Sequence, residues 1–286
     1  MNACVREGRG GSPTAVLDEA SLSDIDRRGV PGLVGASHAV FVSVEDGGHD
    51  LPLVSLRFFT AEGELPACGH GTVAALAILA QRSGSDEYEA TLRASGRTFA
   101  GRCVRKGDEV QAAFDPGTID LREPTFNERD LILPALGVTS DMLAPGMCVG
   151  SLGRPRVLVP ISTRSGLLAV TPDLPRLRGA CDRLGLLGCY VHTVPTAAGR
   201  VAARMFAPSI GVAEDIANAN STACLAAQLA GAGRTEITVD MGDSLGQPST
   251  ITATTGHSPS GAVIRVGGHA VITRTHHLPS LRSARR

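Results

Sequence analysis

The clearest pattern in the 286-residue chain is an apolar strand, a turn and a long apolar helix. Residues 56–60 are a strand-like apolar run, and the Gly- and Glu-rich segment 61–66 has the composition of a turn. After Cys68-Gly69-His70-Gly71-Thr72, nearly every position up to Ala80 is apolar. This order predicts a buried helix over 72–82, ended by Ser83-Gly84.

Runs of alternating or continuous apolar residues predict many further strands and a few helices. In the first part of the chain we expect strands over 2–7, 15–17, 39–44, 51–59, 91–99 and 102–114, with a turn at Gly101 and a further turn signal at 106–108, and a polar helical segment over 18–28. In the second part we expect strands over 149–159, 167–171, 188–193, 201–206, 236–241, 249–255 and 262–274, and helices over 129–136, 174–184 and 221–230.

The two parts of the chain follow one plan, in which strands and an acidic turn precede an Ala-rich buried helix and more strands. Such a unit recurring about 150 residues apart indicates two copies of one fold. We expect an N-terminal half over 1–117, a link over 118–128, a C-terminal half over 129–275 and a frayed basic tail over 276–286. If the copies face each other, the starts of their two central helices meet in one cleft.

Candidate chemistry is concentrated at these helix starts. Two glycines flank His70, and glycine lets a bound group approach the backbone closely. The first turn of a helix has unpaired N–H groups and a partial positive charge, so it favours a small carboxylate. Cys68 and His70 can both move protons near neutral pH. Asp215, before the second helix, is expected opposite His70.

Composition excludes several classes of function. The net charge of -1 and the 3% aromatic content give no reason to expect a nucleic acid or an anionic membrane as a partner. The seven cysteines show no zinc-binding spacing, so reduced core cysteines and no metal site are expected. The first residues lack the apolar core of a signal peptide, and the longest apolar run is too short to span a bilayer. We therefore expect a cytoplasmic protein.

Four segments in order resemble motifs of the PhzF family, phenazine-biosynthesis-type isomerases with the diaminopimelate epimerase fold. Residues 11–16, GSPTAV, are similar to the family's GNPxAV, and residues 37–42, SHAVFV, stand where it has SETxFV. Residues 57–72 resemble RxFTPxxELPxxGHxT, and residues 206–221 resemble FAPxxGVxEDPATGSA. The resemblance implies an α+β fold of two similar halves, each a barrel-like, mostly antiparallel sheet around a central apolar helix. It also implies a cofactor-free active site in the cleft between the halves, and a homodimer.

The chain also departs from these motifs. His38 stands where the family has its catalytic glutamate, which carries a proton from one carbon to another. A neutral imidazole can also shuttle protons. In DPATGS the glycine and serine are replaced by Ala219 and Asn220, with Ser221 next. The resemblance therefore implies as catalytic candidates His38, Cys68, His70 and Asp215, and as substrate-binding candidates Gly69, Gly71, Thr72, Asn220 and Ser221.

These residues leave three functions open. The first is an isomerase that shifts a double bond by proton transfer in a small unsaturated carboxylate, for which a pyrroline carboxylate of antibiotic biosynthesis is a candidate. The second is a one-cysteine racemase or epimerase, because the CGHGT segment that begins at Cys68 also resembles the proline racemase motif. The second cysteine of those enzymes is missing near Ile216. The third is a catalytically inactive binding protein that keeps the cleft.

Overall fold

The computed structural model describes residues 1–19, 21–45, 51–107, 109–258 and 261–274. The six α-helices of this part are α1 (Asp24–Val34), α2 (Gly69–Ser83), α3 (Phe126–Leu136), α4 (Arg164–Ala169), α5 (Leu174–Leu184) and α6 (Ala219–Ala230). Strands β1 to β8 are Asn2–Val5, Ser12–Asp18, His38–Glu45, Leu53–Phe59, Glu64–Leu65, Glu87–Ala94, Arg97–Lys106 and Glu109–Phe114. Strands β9 to β17 are Asp120–Arg122, Cys148–Leu152, Arg154–Ile161, Cys189–Thr193, Arg200–Ala207, Val212–Asp215, Glu236–Met241, Ser249–Ser258 and Gly261–Val271.

The two halves of the chain repeat one pattern of strand pairing. In the first half β2–β3 is parallel, β3–β4 antiparallel, β4–β6 parallel, and β6–β7 and β7–β8 antiparallel. In the second half β11–β12, β12–β13, β13–β15, β15–β16 and β16–β17 repeat these relations in the same order. The central helices α2 and α6 start 150 residues apart, at Gly69 and Ala219. The fold of two similar halves, each a barrel-like sheet around an apolar helix, is therefore confirmed.

Strand β17 joins the two halves. It pairs with β1 and with β8, which closes a ring of eight strands around α2. Strand β9 lies inside the segment expected to link the halves, and it pairs with β10. The domain boundaries themselves stay a prediction, and the expected tail over 276–286 lies outside the described residues.

The two central helices are buried because nearly all their residues are small or apolar. From Gly69 to Ala80 of α2 only Ile78 is not fully buried, and Ala219 and residues 221–226 of α6 are buried as well. One continuous apolar core contains both helices and both sheets. A second core packs α3 and α5 against β11 and β12. Among the described helices, none is long and apolar enough to cross a membrane.

Three element predictions were wrong. Residues 149–159 were expected to form one strand, but they belong to two strands, β10 and β11, which pair antiparallel on either side of Gly153. Gly101 was expected in a turn but lies inside β7, where a Cβ atom would come within 2.6 Å of Leu92. It is glycine because another side chain occupies that space. The turn falls instead at Ser95-Gly96, both with positive φ, as a two-residue hairpin requires. Residues 167–171 were expected to form a strand, but α4 begins at Arg164, where the Thr163 side chain caps it.

The helix expected over 18–28 begins later, at Asp24. The Ser23 side chain accepts a hydrogen bond from the backbone N–H of Asp26, and the Asp26 carboxylate accepts one from the backbone N–H of Ser23. All seven cysteines are free, and all but Cys148 are buried, as expected for reduced core residues.

Candidate active site

The starts of the two central helices touch each other. A Cβ atom on Gly69 would lie only 2.5 Å from the Cβ of Ala219, so the absence of a side chain at position 69 allows this approach. His70 extends the contact, because its Nδ1 lies 3.0 Å from the carbonyl oxygen of Ala217, just before α6. The two helix starts therefore meet across the junction between the halves.

Three proton-carrying side chains cluster at this junction. The rings of His38 and His70 pack edge to face with centroids 4.3 Å apart. The sulfur of Cys68 lies 3.3 Å from Nε2 of His70. All three side chains are buried, with 3 to 6% of each residue exposed. Residues from two elements are brought together here: the start of β3 supplies His38, and the N-cap and first turn of α2 supply Cys68 and His70.

Hydrogen bonds fix the tautomer of His38. The Ser37 hydroxyl donates to the carbonyl of Pro13 at 3.0 Å, so its oxygen is left to accept from His38 Nδ1, also at 3.0 Å. The Nε2 atom of a neutral His38 then carries the free lone pair. This relay explains why the GSPTAV and SHAVFV segments belong to one site, since Pro13 comes from the first and His38 from the second.

His70 is fixed in a complementary way. The Ala217 carbonyl can only accept, so His70 Nδ1 carries a hydrogen atom. The proton between His70 Nε2 and the Cys68 sulfur is therefore the one that can move. Thr72 donates its hydroxyl proton to the Cys68 carbonyl at 2.9 Å, which holds the start of α2 together.

The two histidines differ in their affinity for a proton. Burial, together with the positive charge of His70, holds the pKa of His38 well below its usual value. Burial acts on His70 in the same direction, but the charge and hydrogen bond of Cys68, the charge of Asp215 and the Ala217 carbonyl together raise its pKa to about 9. Near neutral pH the pair therefore consists of a neutral imidazole at His38 and a protonated imidazole at His70.

Asp215 stands at the end of β14 and acts on the cluster through its charge. Its carboxylate accepts a hydrogen bond from the side-chain amide of Asn218 at 2.9 Å. The oxygen of that amide accepts from the backbone N–H of Ser221 and so caps α6. The Ser221 hydroxyl itself points into the core, toward the sulfur of Met205.

The substrate-binding candidates have different surroundings. Thr72 and Asn220 border a small cavity together with Cys68, whereas Gly71 packs against Phe58 and the Cys68 sulfur. The N-cap residue of α2, Cys68, makes no side-chain capping bond, and the first turn of α2 contains no acidic residue. The start of α2 therefore keeps its positive partial charge available for an anion.

Sequence reasoning missed three contributors: Ser37 as the partner of His38, Asn218 as the link between Asp215 and α6, and Arg97 at the cavity. Only Asn218 had a usable sequence signal, since Asn three residues before a buried helical serine is a common N-cap pattern.

One metal-binding arrangement exists among the described residues. The donor atoms of His38, Cys68 and His70 all lie within 4.8 Å of one another, close enough to surround one ion. The sequence predicted no metal. A larger cavity of about 650 Å³ lies at the other end of α2, near Ile78 and Arg82, away from these side chains.

Comparisons with known proteins agree with this arrangement. The family model for phenazine biosynthesis-like proteins, PhzC-PhzF, matches residues 3–276. A trans-2,3-dihydro-3-hydroxyanthranilate isomerase of Pseudomonas fluorescens is 30% identical over 254 residues, which are 85% of this chain and 84% of that protein. An uncharacterized isomerase of Escherichia coli (strain K12) is 27% identical over 227 residues, which are 77% of this chain and 74% of that protein.

Solved structures are similar over nearly the whole length. A "Predicted Epimerase" of Pseudomonas aeruginosa has a TM-score of 0.81 at 26% identity and covers 98% of both chains. A PhzF-family protein of Bacillus anthracis has a TM-score of 0.79 at 16% identity and covers 95% of both chains, which shows the shared fold. The chain therefore belongs to the phenazine biosynthesis-like PhzC-PhzF family and is an isomerase.

Proposed function

We propose that this isomerase shifts a double bond in a small unsaturated carboxylate by moving a proton, with His38 as the base and His70 as the acid. The observation that carries the proposal is the His38–His70 pair at the junction of the two helix starts, with the lone pair of His38 Nε2 left free by the Ser37–Pro13 relay. No cofactor takes part in this scheme.

The reaction follows from the two protonation states. His38 Nε2 removes a proton from a carbon made acidic by conjugation with the carboxylate. The electron pair moves along the conjugated system, and His70 Nε2 returns a proton to a second carbon. The positive charge of His70 and the uncapped start of α2 stabilise the negative charge that develops in between. Proton exchange between the neighbouring imidazoles then restores the resting states.

The substrate class that we propose is a five-membered pyrroline carboxylate, as used in pathways to antibiotics that contain 4-alkyl-proline units. The protein acts in the cytoplasm as a homodimer in this proposal. The family resemblance supports the proposed substrate class, and a structural neighbour that binds a proline derivative shares the fold. A hydroxyproline epimerase of Agrobacterium vitis, solved with trans-4-hydroxy-L-proline, shares the fold with a TM-score of 0.55.

Incubation with a conjugated pyrroline carboxylate in D2O tests the proposal. Proton NMR should show deuterium entering two ring or side-chain carbons, and the ultraviolet spectrum should shift as the conjugation changes. Enzyme with His38→Gln serves as the control and should show neither change. If the wild-type protein binds the compound but exchanges no hydrogen, the proposal is wrong and the inactive binding protein is favoured.

A second candidate is a one-cysteine racemase, which the 3.3 Å contact between Cys68 and His70 favours. The sulfur would carry the proton on one face of the carbon, and the proton donor for the opposite face would have to come from outside the His38, Cys68 and His70 group, whose donor atoms all lie within 4.8 Å of one another. Cys68→Ser separates the two candidates. It should abolish turnover by a racemase, whereas the isomerase should lose more activity from His38→Gln than from Cys68→Ser.

A further inference from the structure

A cavity between the two halves has one charged residue in its wall. It measures about 30 Å³ and is bordered by Cys68 and Thr72 of α2, Asn220 of α6 and Arg97 of β7. Most of the remaining wall is apolar and includes Phe58, Phe99 and Phe114, and the rings of the last two lie 6.0 Å apart. The cavity therefore combines both helix starts, an aromatic wall and one cation.

The turn after β8 is shaped to hold Arg97. The Arg97 guanidinium donates from Nη2 to the carbonyl of Pro116 at 2.7 Å. Gly117 has a φ of 89°, and a Cβ atom on it would lie 2.2 Å from the same Nη2 atom. Asp115 accepts from the Gly117 N–H at 2.8 Å and fixes the turn. The space that a side chain at 117 would fill is thus occupied by the guanidinium.

The positive charge of Arg97 is not paired with a carboxylate among the described residues. Within the described residues no carboxylate forms an ion pair with it, whereas Arg57 has two ion pairs and Arg82 and Arg93 have one each. Among the residues that the structure describes, Pro116 alone accepts a hydrogen bond from Arg97, so other guanidinium N–H groups are left for a ligand, in the planar arrangement that suits a carboxylate.

We propose that Arg97 binds the carboxylate of the substrate and that the phenylalanine wall holds its carbon skeleton against Cys68. This inference rests on the proposed function and defines its substrate as a small, flat, apolar acid with one carboxylate. A cavity of 30 Å³ holds about one water molecule. His38 and His70 do not border the cavity, so binding of the acid within reach of them requires the two halves to separate at this point.

Binding of two matched probes tests the inference. Pyrrole-2-carboxylate carries the charge on a flat five-membered ring, and pyrrole-2-carboxamide has the same shape without it. Isothermal titration calorimetry on the wild-type protein should show at least about tenfold tighter binding of the carboxylate, as a charge-assisted pair gives. Arg97→Met should lose this preference, and Arg97→Lys should keep part of it.

Arg102→Met is the control variant, because Arg102 lies exposed on the same strand and borders no part of the cavity. It should bind both probes as the wild type does, and thermal unfolding should show that all variants are folded. Arg97→Met binding pyrrole-2-carboxylate as tightly as the wild type does would overturn the inference. Preferential binding by a wild type that fails the deuterium-exchange assay would instead refute the proposed function alone.

Discussion

The starts of α2 and α6 occupy equivalent places in the two repeats but are built for different tasks. At α2 the N-cap is Cys68, which makes no capping bond, and the first turn carries His70 between two glycines. At α6 the N-cap is Asn218, whose side chain bonds both the helix N–H of Ser221 and the carboxylate of Asp215. The start of α2 thus leaves backbone N–H groups without a side-chain cap and carries side chains that can exchange protons. The start of α6 is capped by Asn218, which also holds the Asp215 carboxylate in place. In the proposed mechanism, the first copy of the fold supplies the proton carriers and the second supplies the charge that acts on them.

The proton carriers should show the largest effect. We expect His38→Gln and His70→Gln each to lower kcat about 10²- to 10⁴-fold, because a positioned acid or base contributes that much. Proton exchange by NMR measures the loss. His192→Gln changes another buried histidine, on β12, whose pKa burial lowers to about 4, and it should retain activity. Comparable activity in the His38 and His192 variants would contradict the assignment of the base.

The contact between the two helix starts should show the next largest effect. Gly69→Ala places a methyl group 2.5 Å from the Cβ of Ala219, and we expect it to lower the free energy of unfolding by about 1–3 kcal/mol. Ala219→Gly removes the opposing methyl group, so the double variant should recover most of the stability. Urea unfolding measures the free energy of unfolding of the single and the double variant.

A glycine without neighbours provides the comparison. A Cβ atom on Gly179 of α5 would meet nothing within 4 Å, so Gly179→Ala should raise stability by about 0.5–1 kcal/mol. If Gly69→Ala behaves in the same way, the helix starts do not meet as described.

The Asn218 cap should show a smaller effect on stability but a specific effect on activity. Asn218→Ala removes the cap of α6 and the donor to Asp215, at a cost of about 1 kcal/mol in unfolding free energy. Asp173→Ala removes the cap of α5, far from the site, at a similar cost. We expect kcat to fall in the Asn218 variant only. Equal kcat values in these two variants would show that Asp215 needs no positioning by Asn218.

The pH profile should show the smallest change. Activity needs a neutral His38 and a protonated His70, so it should persist below pH 6.5 and fall as pH rises through about 9. His70 has a raised pKa in the folded protein, so the stability that it contributes is present below its unfolded pKa and is lost over the same rise. Cys68→Ser removes the largest cause that raises this pKa, so the alkaline limb of kcat/KM should move to lower pH. An unmoved limb would show that another group titrates there.

The repeated fold could be predicted because local signals mark it. Glycine-rich starts and Ala-rich runs gave α2 and α6 to within three residues at their starts. The turn predicted at Gly101 was wrong, because a glycine that makes room for Leu92 inside a strand cannot be distinguished from a turn glycine in the sequence. The strand predicted over 167–171 was wrong too, because a short apolar run fits a strand or a helix equally well.

The identity of several site residues could be predicted as well, but their contacts and protonation could not. Motif order pointed to His38, Cys68 and His70, while the packing of β3 beside α2 decides that the two rings touch. The tautomer of His38 depends on Pro13, which is 25 positions earlier, through Ser37. Arg97 gave no signal, because an exposed arginine after a hairpin turn is ordinary in sequence. Its role depends on the tertiary fold, which places residues 115–117 against the Arg97 guanidinium.

The most direct test of the central claim is a crystal structure with pyrrole-2-carboxylate bound. The account predicts the acid between the starts of α2 and α6, with a ring carbon within about 3.5 Å of His38 Nε2. The acid bound elsewhere, for example in the cavity beside Ile78 and Arg82, with the two helix starts still closed on each other, would contradict it.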